Sequence, residues 1–480
     1  MILRHGPGGP AQEPGIAARV LLPGFVGTTL PEWLERRLRN GLAGVCIFGG
    51  NIESREQLRE LTSAIRAANP DSLIAIDEEG GDVTRLYFDQ GSPYPGNAIL
   101  GRIDDEDYTE LVAETVGWQL RRTGVNLDFA PDVDINSNPD NPVIGVRSFG
   151  TDPGLVARHS AAWVRGLQRT AVAVSAKHFP GHGDTAQDSH LALPVVDLPE
   201  GELRERELVP FVAAIDAGAR TIMTSHILLP QLDPDNPATF SSRILDGLLR
   251  EELGFDGVIV SDALDMVGAS GQIGIPAAAV RAIAAGCDLL CIGTDNTDDE
   301  LDRIERALVD AVEDGSLEAS RLADAGARNV ALARTLATEA EAAVLESDDV
   351  DPVFDAARTA AAFDVRPGVV VQADRELVAI DTVANIAVGT APWGPPVTSR
   401  IPEGGTLPAV GGQLILIGKD NHRHGWVRSL IDAARAQHPN VIVVDMGWPG
   451  DDRAYADVAT FGASKHGGQA LLAWLEGAPQ

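Results

Sequence analysis

Hydrophobic positions in the first 300 or so residues form short continuous runs, and segments of helical periodicity lie between them. Continuous runs are typical of strands that are buried on both faces, and the longer period is typical of amphipathic helices. Eight runs are predicted as strands: residues 17–24, 43–48, 73–77, 125–130, 172–177, 219–225, 257–261 and 287–292. Helical patterns between them cover residues 55–68, 108–123, 153–169, 202–217 and 242–253.

The alternation of these elements predicts the fold class. Ser54, Asp152 and Ser241 each precede a helical pattern, and their side chains are good helix N-caps. Eight strands that alternate with helices predict a (β/α)₈ TIM barrel. A doubly wound open sheet is the alternative, but it usually has fewer strands and would not place polar residues at so many strand ends. We therefore expect an α/β fold that begins with a TIM barrel.

The composition changes after about residue 335. Residues 337–362 are rich in alanine, glutamate and aspartate, which indicates a connecting helix or linker. Strand-like runs at 414–418, 441–445 and 457–461 then alternate with helical patterns at 426–437 and 468–476, as in a doubly wound layer. We predict a TIM-barrel catalytic domain over residues 1–335, a helical linker over 336–364 and a smaller α/β domain over 365–480.

The charge and composition of the chain exclude several kinds of partner. The formal net charge is −32, and only three of the 480 residues are lysines. Because an acidic surface repels phosphate backbones and anionic lipids, we expect neither nucleic-acid nor membrane binding.

No apolar run is long enough to span a membrane, and residues 1–10 lack the pattern of a secretory signal, so a cytoplasmic protein is expected. Cys46, Cys287 and Cys291 are too few for a disulfide framework and lack companion ligands for zinc.

Polar and ionisable residues follow the predicted strands where each of them ends. In a TIM barrel these ends meet on one face, which carries the active site. A ring of such groups there predicts a catalytic pocket. Its members are Asp77, Glu78 and Glu79 after the third strand, Asp132 and Asp134 after the fourth, Lys177 and His178 after the fifth, Ser225 and His226 after the sixth, and Ser261 and Asp262 after the seventh.

The densest group of reactive side chains lies in the segment Lys177-His178-Phe179-Pro180-Gly181-His182-Gly183-Asp184, which continues to Asp188-Ser189-His190. Two interpretations compete. Histidine and aspartate are good ligands for zinc or iron, but metal sites usually hold their ligands at a rigid spacing, whereas proline and glycine indicate a loop here. The other interpretation is an acid/base loop over a polar pocket, and we expect no metal and no cofactor.

This segment resembles glycoside hydrolase family 3 and, more narrowly, its β-N-acetylglucosaminidase branch. The resemblance covers about residues 16–335 and includes four segments in the family's order. The other three segments are Asp77-Glu78-Glu79-Gly80-Gly81-Asp82-Val83 followed by Arg85, Arg147-Ser148-Phe149-Gly150, and Ser261-Asp262-Ala263-Leu264-Asp265-Met266.

The resemblance implies roles for individual residues. Asp262 matches the nucleophile, and His190 matches the acid/base with Asp188 as its partner. Apart from the resemblance, His226 is a pocket candidate because it follows the sixth strand, and His182 is expected to shape the loop. The residues that match sugar-binding positions are Asp77, Arg85, Arg147, Lys177 and His178.

The chemistry of these side chains agrees with the implied roles. A retaining glycosidase needs a carboxylate on one face of the anomeric carbon and a proton donor on the other. A strand end holds Asp262 rigidly, and His190 titrates near neutrality, so it can donate a proton and then accept one. Because the imidazole is neutral after donation, an anionic acceptor is repelled less than it would be by a second carboxylate. Phosphate is therefore a hypothetical acceptor besides water.

The sequence departs from the family pattern at three positions. Glu78 and Asp82 stand where the family often has glutamine and arginine, so we expect added negative charge near the pocket mouth. Ala263 replaces a common aspartate, which we expect to remove a hydrogen bond rather than the chemistry. Because the barrel loop already carries Asp188 and His190, the smaller domain is not needed for proton transfer.

The predicted function is hydrolysis of a terminal β-linked N-acetylglucosamine from oligosaccharides or from muropeptide fragments of the cell wall, as in peptidoglycan recycling. A phosphorylase on the same substrates, a β-glucosidase and an inactive sugar-binding protein are the alternatives. The loop with Asp188 and His190 disfavours a β-glucosidase, and a sugar-binding protein needs neither Asp262 nor His190. The sequence does not determine the oligomeric state.

Overall fold

The computed structural model of the chain describes residues 15–343, 352–382 and 385–477. The expectation for residues 1–10, and the part of the predicted linker over 344–351, lie outside the described residues. In the described part of the chain, no helix combines the length and the apolar character that crossing a membrane requires.

Eight parallel strands form the first sheet, in the order β1-β8-β7-β6-β5-β4-β3-β2. The ring closes beside β1 and β2, where the Ala43 N–H donates to the Ala18 carbonyl at 3.0 Å. The TIM barrel is thereby confirmed. Its strands are β1 (Leu21–Pro23), β2 (Gly44–Ile47), β3 (Leu73–Ile76), β4 (Leu127–Asp128), β5 (Ala173–Phe179), β6 (Thr221–Thr224), β7 (Val258–Ser261) and β8 (Leu289–Gly293).

Every residue of these strands is buried, which explains why they are continuous apolar runs rather than alternating ones. One face of each strand fills the barrel interior, where Leu22, Ala75 and Met223 belong to one apolar cluster. The other face packs under the helices, where Leu21, Ile74 and Ile222 belong to a second, larger cluster. The barrel is therefore closed below its mouth and can hold a site only at one end.

Helices cover the outside of the barrel, and two of the predicted caps are confirmed. Ser54 Oγ accepts the Gln57 N–H at 3.1 Å, and the Asp152 carboxylate accepts the Leu155 N–H at 2.7 Å. Each such cap stabilises its helix by about 1 kcal/mol. The α-helices are α1 (Glu32–Arg39), α2 (Arg55–Ala68), α3 (Asn97–Ile103), α4 (Glu106–Arg122), α5 (Pro153–Gln168), α6 (Glu200–Glu205), α7 (Val209–Asp216), α8 (Val267–Ser270), α9 (Ile275–Ala285), α10 (Asp298–Asp314) and α11 (Ala319–Ala342), and a π-helix spans Arg243–Glu252.

The single helix predicted over residues 202–217 is wrong. The structure has α6 and α7 there, with a break between Glu205 and Val209. Pro210 stands in the first turn of α7, where its missing N–H costs nothing, but in a continuous helix its ring would collide with the preceding turn. Glu207, in the break, is buried and accepts a hydrogen bond from Ser137 Oγ at 3.1 Å.

The second sheet has six strands in the order β11-β10-β12-β13-β14-β9. Five strands are parallel and β9 is antiparallel, so the sheet is mixed rather than wholly parallel. The α/β character predicted for this part of the chain is confirmed. Its elements are α12 (Ala356–Ala361), β9 (Asp364–Val365), β10 (Arg375–Ile380), β11 (Ser399–Ile401), β12 (Gln413–Gly418), α13 (Gly425–Gln437), β13 (Ile442–Asp445), β14 (Val458–Ala459) and α14 (Lys465–Gly477).

The loop after β10 of the smaller domain lies at the barrel mouth. The chain adds β11 on one side of β10 and then β12 on the other, so the loops after β10 and β12 diverge and open a crevice at the carboxyl ends of the strands. The loop after β10 contacts the barrel, since Arg85 Nη2 donates to the Ala387 carbonyl at 2.9 Å. The smaller domain therefore covers part of the barrel mouth.

Candidate active site

A cavity of about 460 Å³ opens at the carboxyl ends of the barrel strands. It is lined by most of the residues that the sequence analysis singled out, although they lie on five different strands or loops. They are Asp77, Arg85, Arg147, Lys177, His178, His190 and Asp262. Ile386, Ala387 and Gly389 of the smaller domain complete the wall, which the sequence analysis did not foresee.

Asp262 follows β7 directly and is held by the backbone around it. Its Oδ1 accepts the Ala263 N–H at 2.7 Å, and its own N–H lies 3.4 Å from Thr224 Oγ1 on β6. Burial opposes ionisation, but the neighbouring His226, His178 and His190 together lower the pKa of this carboxyl. Asp262 is therefore an anion at neutral pH, in a rigid position that opens into the pocket.

His190 and Asp188 form a hydrogen-bonded pair on the loop after β5. The distance between His190 Nδ1 and Asp188 Oδ1 is 2.6 Å. Burial disfavours the imidazolium, but the bond to Asp188 and the charge of Asp262 outweigh it and raise the pKa of His190. Because Nδ1 is occupied by Asp188, Nε2 is the nitrogen that can exchange a proton with a ligand.

Two buried cations cross the floor of the pocket and share one carboxylate. Lys177 Nζ lies 2.8 Å from Asp77 Oδ1 and 2.7 Å from Glu79 Oε1. The Arg147 guanidinium is bidentate on Glu79, at 2.9 and 2.7 Å. These contacts raise the pKa of Lys177 and of Arg147 against the opposing effect of burial. The paired charges form a rigid array of donors and acceptors, which suits ligand hydroxyls.

His178 is held beside this array by Asp134. Its Nδ1 donates to Asp134 Oδ2 at 2.7 Å, and its Nε2 lies 3.4 Å from Arg147 Nη2. Burial and the nearby Arg147 charge lower the pKa of His178 to about 4, so the ring is neutral at neutral pH. Asp132 lies 3.4 Å from Arg147 Nη2 and therefore helps to hold Arg147 in place.

The other two histidines are placed differently from each other. His182 bonds to Ser189 Oγ at 3.0 Å and to Thr185 Oγ1 at 2.9 Å, so it shapes the loop as expected. His226 is fully buried, and Nε2 donates to the Ala263 carbonyl at 3.0 Å while Nδ1 lies 2.9 Å from Thr239 Oγ1. His226 thus lies behind the nucleophile rather than among the residues that line the pocket, and it acts on Asp262 through the Ala263 backbone and, when protonated, through its charge.

Glu78 and Asp82 do not add charge to the pocket, contrary to the expectation from the sequence. Glu78 is fully buried and turned under the loop, where Oε2 accepts the N–H groups of Arg85 at 3.0 Å and Leu86 at 2.9 Å. Asp82 faces the smaller domain, where its carboxylate accepts the Ala463 N–H at 2.6 Å and lies 3.7 Å from Lys419 Nζ. Glu78 therefore stabilises the loop after β3, and Asp82 stabilises the contact between the barrel and the smaller domain.

Asp132, Asp134 and His178 lie close enough together to raise the question of a metal ion, since their ligand atoms fall within 4.8 Å of one another. Arg147 already lies 3.4 Å from Asp132, and both oxygens of Asp134 accept hydrogen bonds from His178 and His182. Protein cations and donors thus occupy the positions that an ion would need. The set supports Arg147 and His178 instead.

The sequence profile described as "Glycosyl hydrolase family 3 N terminal domain" matches residues 28–332 of the chain. The match covers more than half of the chain and includes all four segments of the resemblance. The protein belongs to glycosyl hydrolase family 3. Its barrel, pocket and histidine-bearing loop are thus those of a family 3 protein.

Several known proteins are similar to this family 3 protein in sequence or in structure. A β-N-acetylglucosaminidase from Paenibacillus sp. strain FPU-7 is 30% identical, with a TM-score of 0.87 over 97% of this chain and 96% of that one. NagZ from Neisseria gonorrhoeae, solved with N-trifluoroacetyl-D-glucosamine, is 32% identical, with a TM-score of 0.55 over 66% of this chain and 98% of its own. "Beta-hexosaminidase A" from Pseudoalteromonas piscicida is 38% identical over 63% of this chain and 55% of its own length. The resemblance to the β-N-acetylglucosaminidase branch is confirmed.

Two pocket residues of this family 3 protein, Glu79 and Asp265, had no role predicted from the sequence. Glu79, which joins Arg147 to Lys177, follows Asp77 by two residues at the end of β3. The sequence contained a usable signal, because Lys177 ends a strand predicted to be buried on both faces, and a buried cation needs a partner. Asp265 also lines the pocket, three residues after Asp262.

Proposed function

We propose that the protein is a retaining β-N-acetylglucosaminidase that removes a terminal β-linked N-acetylglucosamine through a covalent glycosyl ester of Asp262. One observation carries the proposal. An ionised carboxylate, Asp262, and an acid/base pair, His190 with Asp188, open onto the same pocket. A retaining glycosidase needs a nucleophile and a proton donor in that arrangement.

In the first step, Asp262 attacks the anomeric carbon of the bound sugar while the bond from that carbon to the leaving oxygen breaks. His190 Nε2 gives its proton to the leaving oxygen, so the aglycone departs as a neutral alcohol. Asp188 holds Nδ1 at 2.6 Å and stabilises the imidazolium before donation. The products of this step are the free alcohol and the glycosyl-Asp262 ester.

In the second step, water attacks the same carbon and gives its proton to the neutral imidazole of His190. The ester bond breaks and its electron pair returns to the Asp262 carboxylate. The sugar leaves with its original configuration after two inversions.

The terminal sugar is held by the remaining residues of the pocket. Lys177 and Arg147 can donate to sugar hydroxyls from fixed positions, and Asp77 can accept from them. Arg85 and neutral His178 add two further polar contacts at the wall. His226 positions Asp262 through the Ala263 carbonyl rather than by touching the sugar.

The names of the relatives support N-acetylglucosamine as the sugar, since NagZ was solved with an N-acylated glucosamine and the Paenibacillus protein is called a β-N-acetylglucosaminidase. We propose oligosaccharides or muropeptide fragments as natural substrates. Phosphate is the second candidate acceptor, because His190 has given up its proton before the ester is cleaved, and a neutral imidazole does not repel an anion.

The proposal is tested with p-nitrophenyl N-acetyl-β-glucosaminide and the matching β-glucoside, using the full chain. We expect nitrophenol release from the first substrate and at least about tenfold less kcat/KM on the second. A slow 2-fluoro or 5-fluoro glycosyl substrate should leave a covalent mass increase on the peptide that contains Asp262. Equal activity on the two substrates, or an adduct on another residue, would contradict the proposal.

A further inference from the structure

Asp265 is a second carboxylate at the catalytic end of the pocket, and the proposed chemistry does not use it. It lines the same pocket as Asp262 and His190, and part of its surface remains accessible to solvent. Neither proton transfer nor attack on the anomeric carbon needs a carboxylate there. Its charge can nevertheless act on any ligand that enters the pocket.

The local backbone holds this carboxylate in place. The Asp265 N–H donates to the Ile292 carbonyl at 3.1 Å, which ties the turn after β7 to the end of β8. Asp265 Oδ2 accepts the Thr294 N–H at 3.3 Å. Gly293 has a φ of +136°, and a Cβ atom on it would lie 2.1 Å from Asp265 Oδ2. Only glycine at 293 leaves room for the carboxylate.

The carboxylate lies within electrostatic reach of both reacting groups. Burial raises the pKa of Asp265, the Asp262 charge raises it further, and His190 and the Thr294 N–H lower it. An acceptor that approaches the glycosyl ester comes in on the side where His190 takes a proton. Because Asp265 lines the same cavity, an acceptor in that cavity meets the field of Asp265 as well as the returning charge of Asp262.

The cations of the pocket do not cancel that field. Lys177 and Arg147 are both bound to Glu79 on the β3–β5 side of the barrel, at 2.7 Å. Arg85 is directed to the Ala387 carbonyl at 2.9 Å and lies 4.0 Å from Asp77. The end of the pocket that contains Asp262 and Asp265 is left negative when both are ionised.

We propose that Asp265 makes the glycosyl-enzyme select water rather than phosphate as its acceptor. This inference rests on the proposed function. Water is neutral and gives its proton to His190, which yields the free sugar. A phosphate dianion would attack through an already ionised oxygen, the bond from the anomeric carbon to Asp262 would break, and sugar 1-phosphate and the free carboxylate would result without proton transfer.

The two acceptors respond differently to the charge of Asp265. To first order, a fixed charge neither attracts nor repels water, whereas it repels a dianion twice as strongly as a monoanion. Removal of the Asp265 charge should therefore raise the rate at which a phosphate dianion attacks the glycosyl ester, on the order of tenfold. The expected signature is a change of product ratio rather than of overall turnover.

The test is the ratio of N-acetylglucosamine 1-phosphate to free N-acetylglucosamine formed from the nitrophenyl substrate in excess inorganic phosphate. We expect the wild type to form the free sugar and Asp265→Asn to raise the share of the phosphate ester about tenfold. Asp265→Glu keeps the charge and should keep the wild-type ratio. Asp295→Asn is the matched control, because Asp295 is an exposed carboxylate on the loop after β8 that does not line the pocket.

Two results would overturn the inference while leaving the proposed function intact. One is sugar 1-phosphate as the main product of the wild type. The other is a wild-type product ratio in Asp265→Asn and in a second neutral variant, Asp265→Ser, which covers the case in which one of them fails to fold. If the wild type releases no nitrophenol, the proposed function is wrong, and this inference falls with it.

Discussion

The imidazole of His190 lies against the carboxylate of Asp188, with 2.6 Å between Nδ1 and Oδ1. The His190 N–H also donates to the same oxygen, at 2.9 Å, so the two residues form a closed local ring. The contact raises the pKa of His190 although burial opposes it, and it lowers the pKa of Asp188. The proton-donating form of His190 therefore persists to higher pH than in an isolated histidine.

The pH profile of kcat/KM should follow from this pair. The rate needs ionised Asp262, whose pKa is lowered, and protonated His190, whose pKa is raised, so the profile should be a bell with a wide top. Asp188→Asn removes the interaction that raises the His190 pKa. The basic limb should then move to lower pH, and kcat should fall by about tenfold or more.

Asp184→Asn is the control for that experiment. Asp184 is an aspartate of the same loop that pairs with Arg206 at 2.6 Å and does not line the pocket. Its variant should keep the wild-type basic limb. If the basic limb of Asp188→Asn coincides with that of the wild type, the group that titrates there is not His190 paired with Asp188.

Removal of the nucleophile should abolish turnover without unfolding the protein. Asp262→Ala loses the group that forms the ester, so kcat should fall on the order of 10³-fold or more. Added azide should restore part of the rate and give a glycosyl azide of inverted configuration, because a small anion can enter the space of the lost carboxylate. A variant with more than a tenth of the wild-type rate, or an azide product of retained configuration, would assign the nucleophile elsewhere.

Glu79 should stabilise the folded protein as well as align the donors of the pocket. Glu79→Gln leaves the buried cations Lys177 and Arg147 with one negative partner fewer, and loss of one member of a buried ion pair costs about 3–5 kcal/mol. Denaturant unfolding should show that loss, and KM should rise because the two donors lose their alignment. The control is Glu56→Gln, which breaks the exposed 2.7 Å pair with Arg59 and should cost about 1 kcal/mol or less. Equal losses in the two variants would contradict the buried-pair account.

Glu78 should make the protein less stable as pH rises. Burial raises its pKa to about 7 in the folded chain, against an ordinary value of 4.5. Between these values the folded state holds a proton that the unfolded state has lost, so unfolding free energy falls as pH rises, by about 3 kcal/mol from this group. Glu78→Gln removes the titration, and it should therefore gain stability relative to wild type between pH 5 and pH 8.

The check for Glu78 is chemical denaturation of both proteins at a series of pH values. Glu207, whose pKa burial raises to about 7, contributes a slope of the same sign that the variant retains. The difference between wild type and variant therefore isolates Glu78. A difference that is flat with pH would show that Glu78 is ionised, or protonated, equally in both states.

The local features of the barrel were predictable because they depend on neighbours in sequence. The helix over residues 55–68 was predicted with the bounds of α2, since Ser54 caps it and its apolar residues repeat along one face. All eight barrel strands were predicted, because burial on both faces demands unbroken apolar runs.

The errors arose where tertiary contacts override a local pattern. β10 was missed although it lies between β11 and β12 in its sheet, because it begins with Arg375 and Glu376 and only its last three residues are buried. The break between α6 and α7 was missed because apolar periodicity continues through Pro210. In both cases, packing against neighbouring elements decided the local structure, and the pattern of a few residues did not predict it.

By itself, the sequence predicted the barrel and the polar residues at the ends of its strands, and it singled out Asp262, His190 and Asp188 as candidate catalytic residues, because strand periodicity and short motifs are local properties. Only the tertiary structure decided that Glu79 joins two cations, that His226 lies behind the nucleophile, that Asp82 faces Lys419 and that residues 386–389 close the pocket. These relationships join residues up to several hundred positions apart. Their distances and burial are set by how the elements pack, and packing is a property of the whole chain.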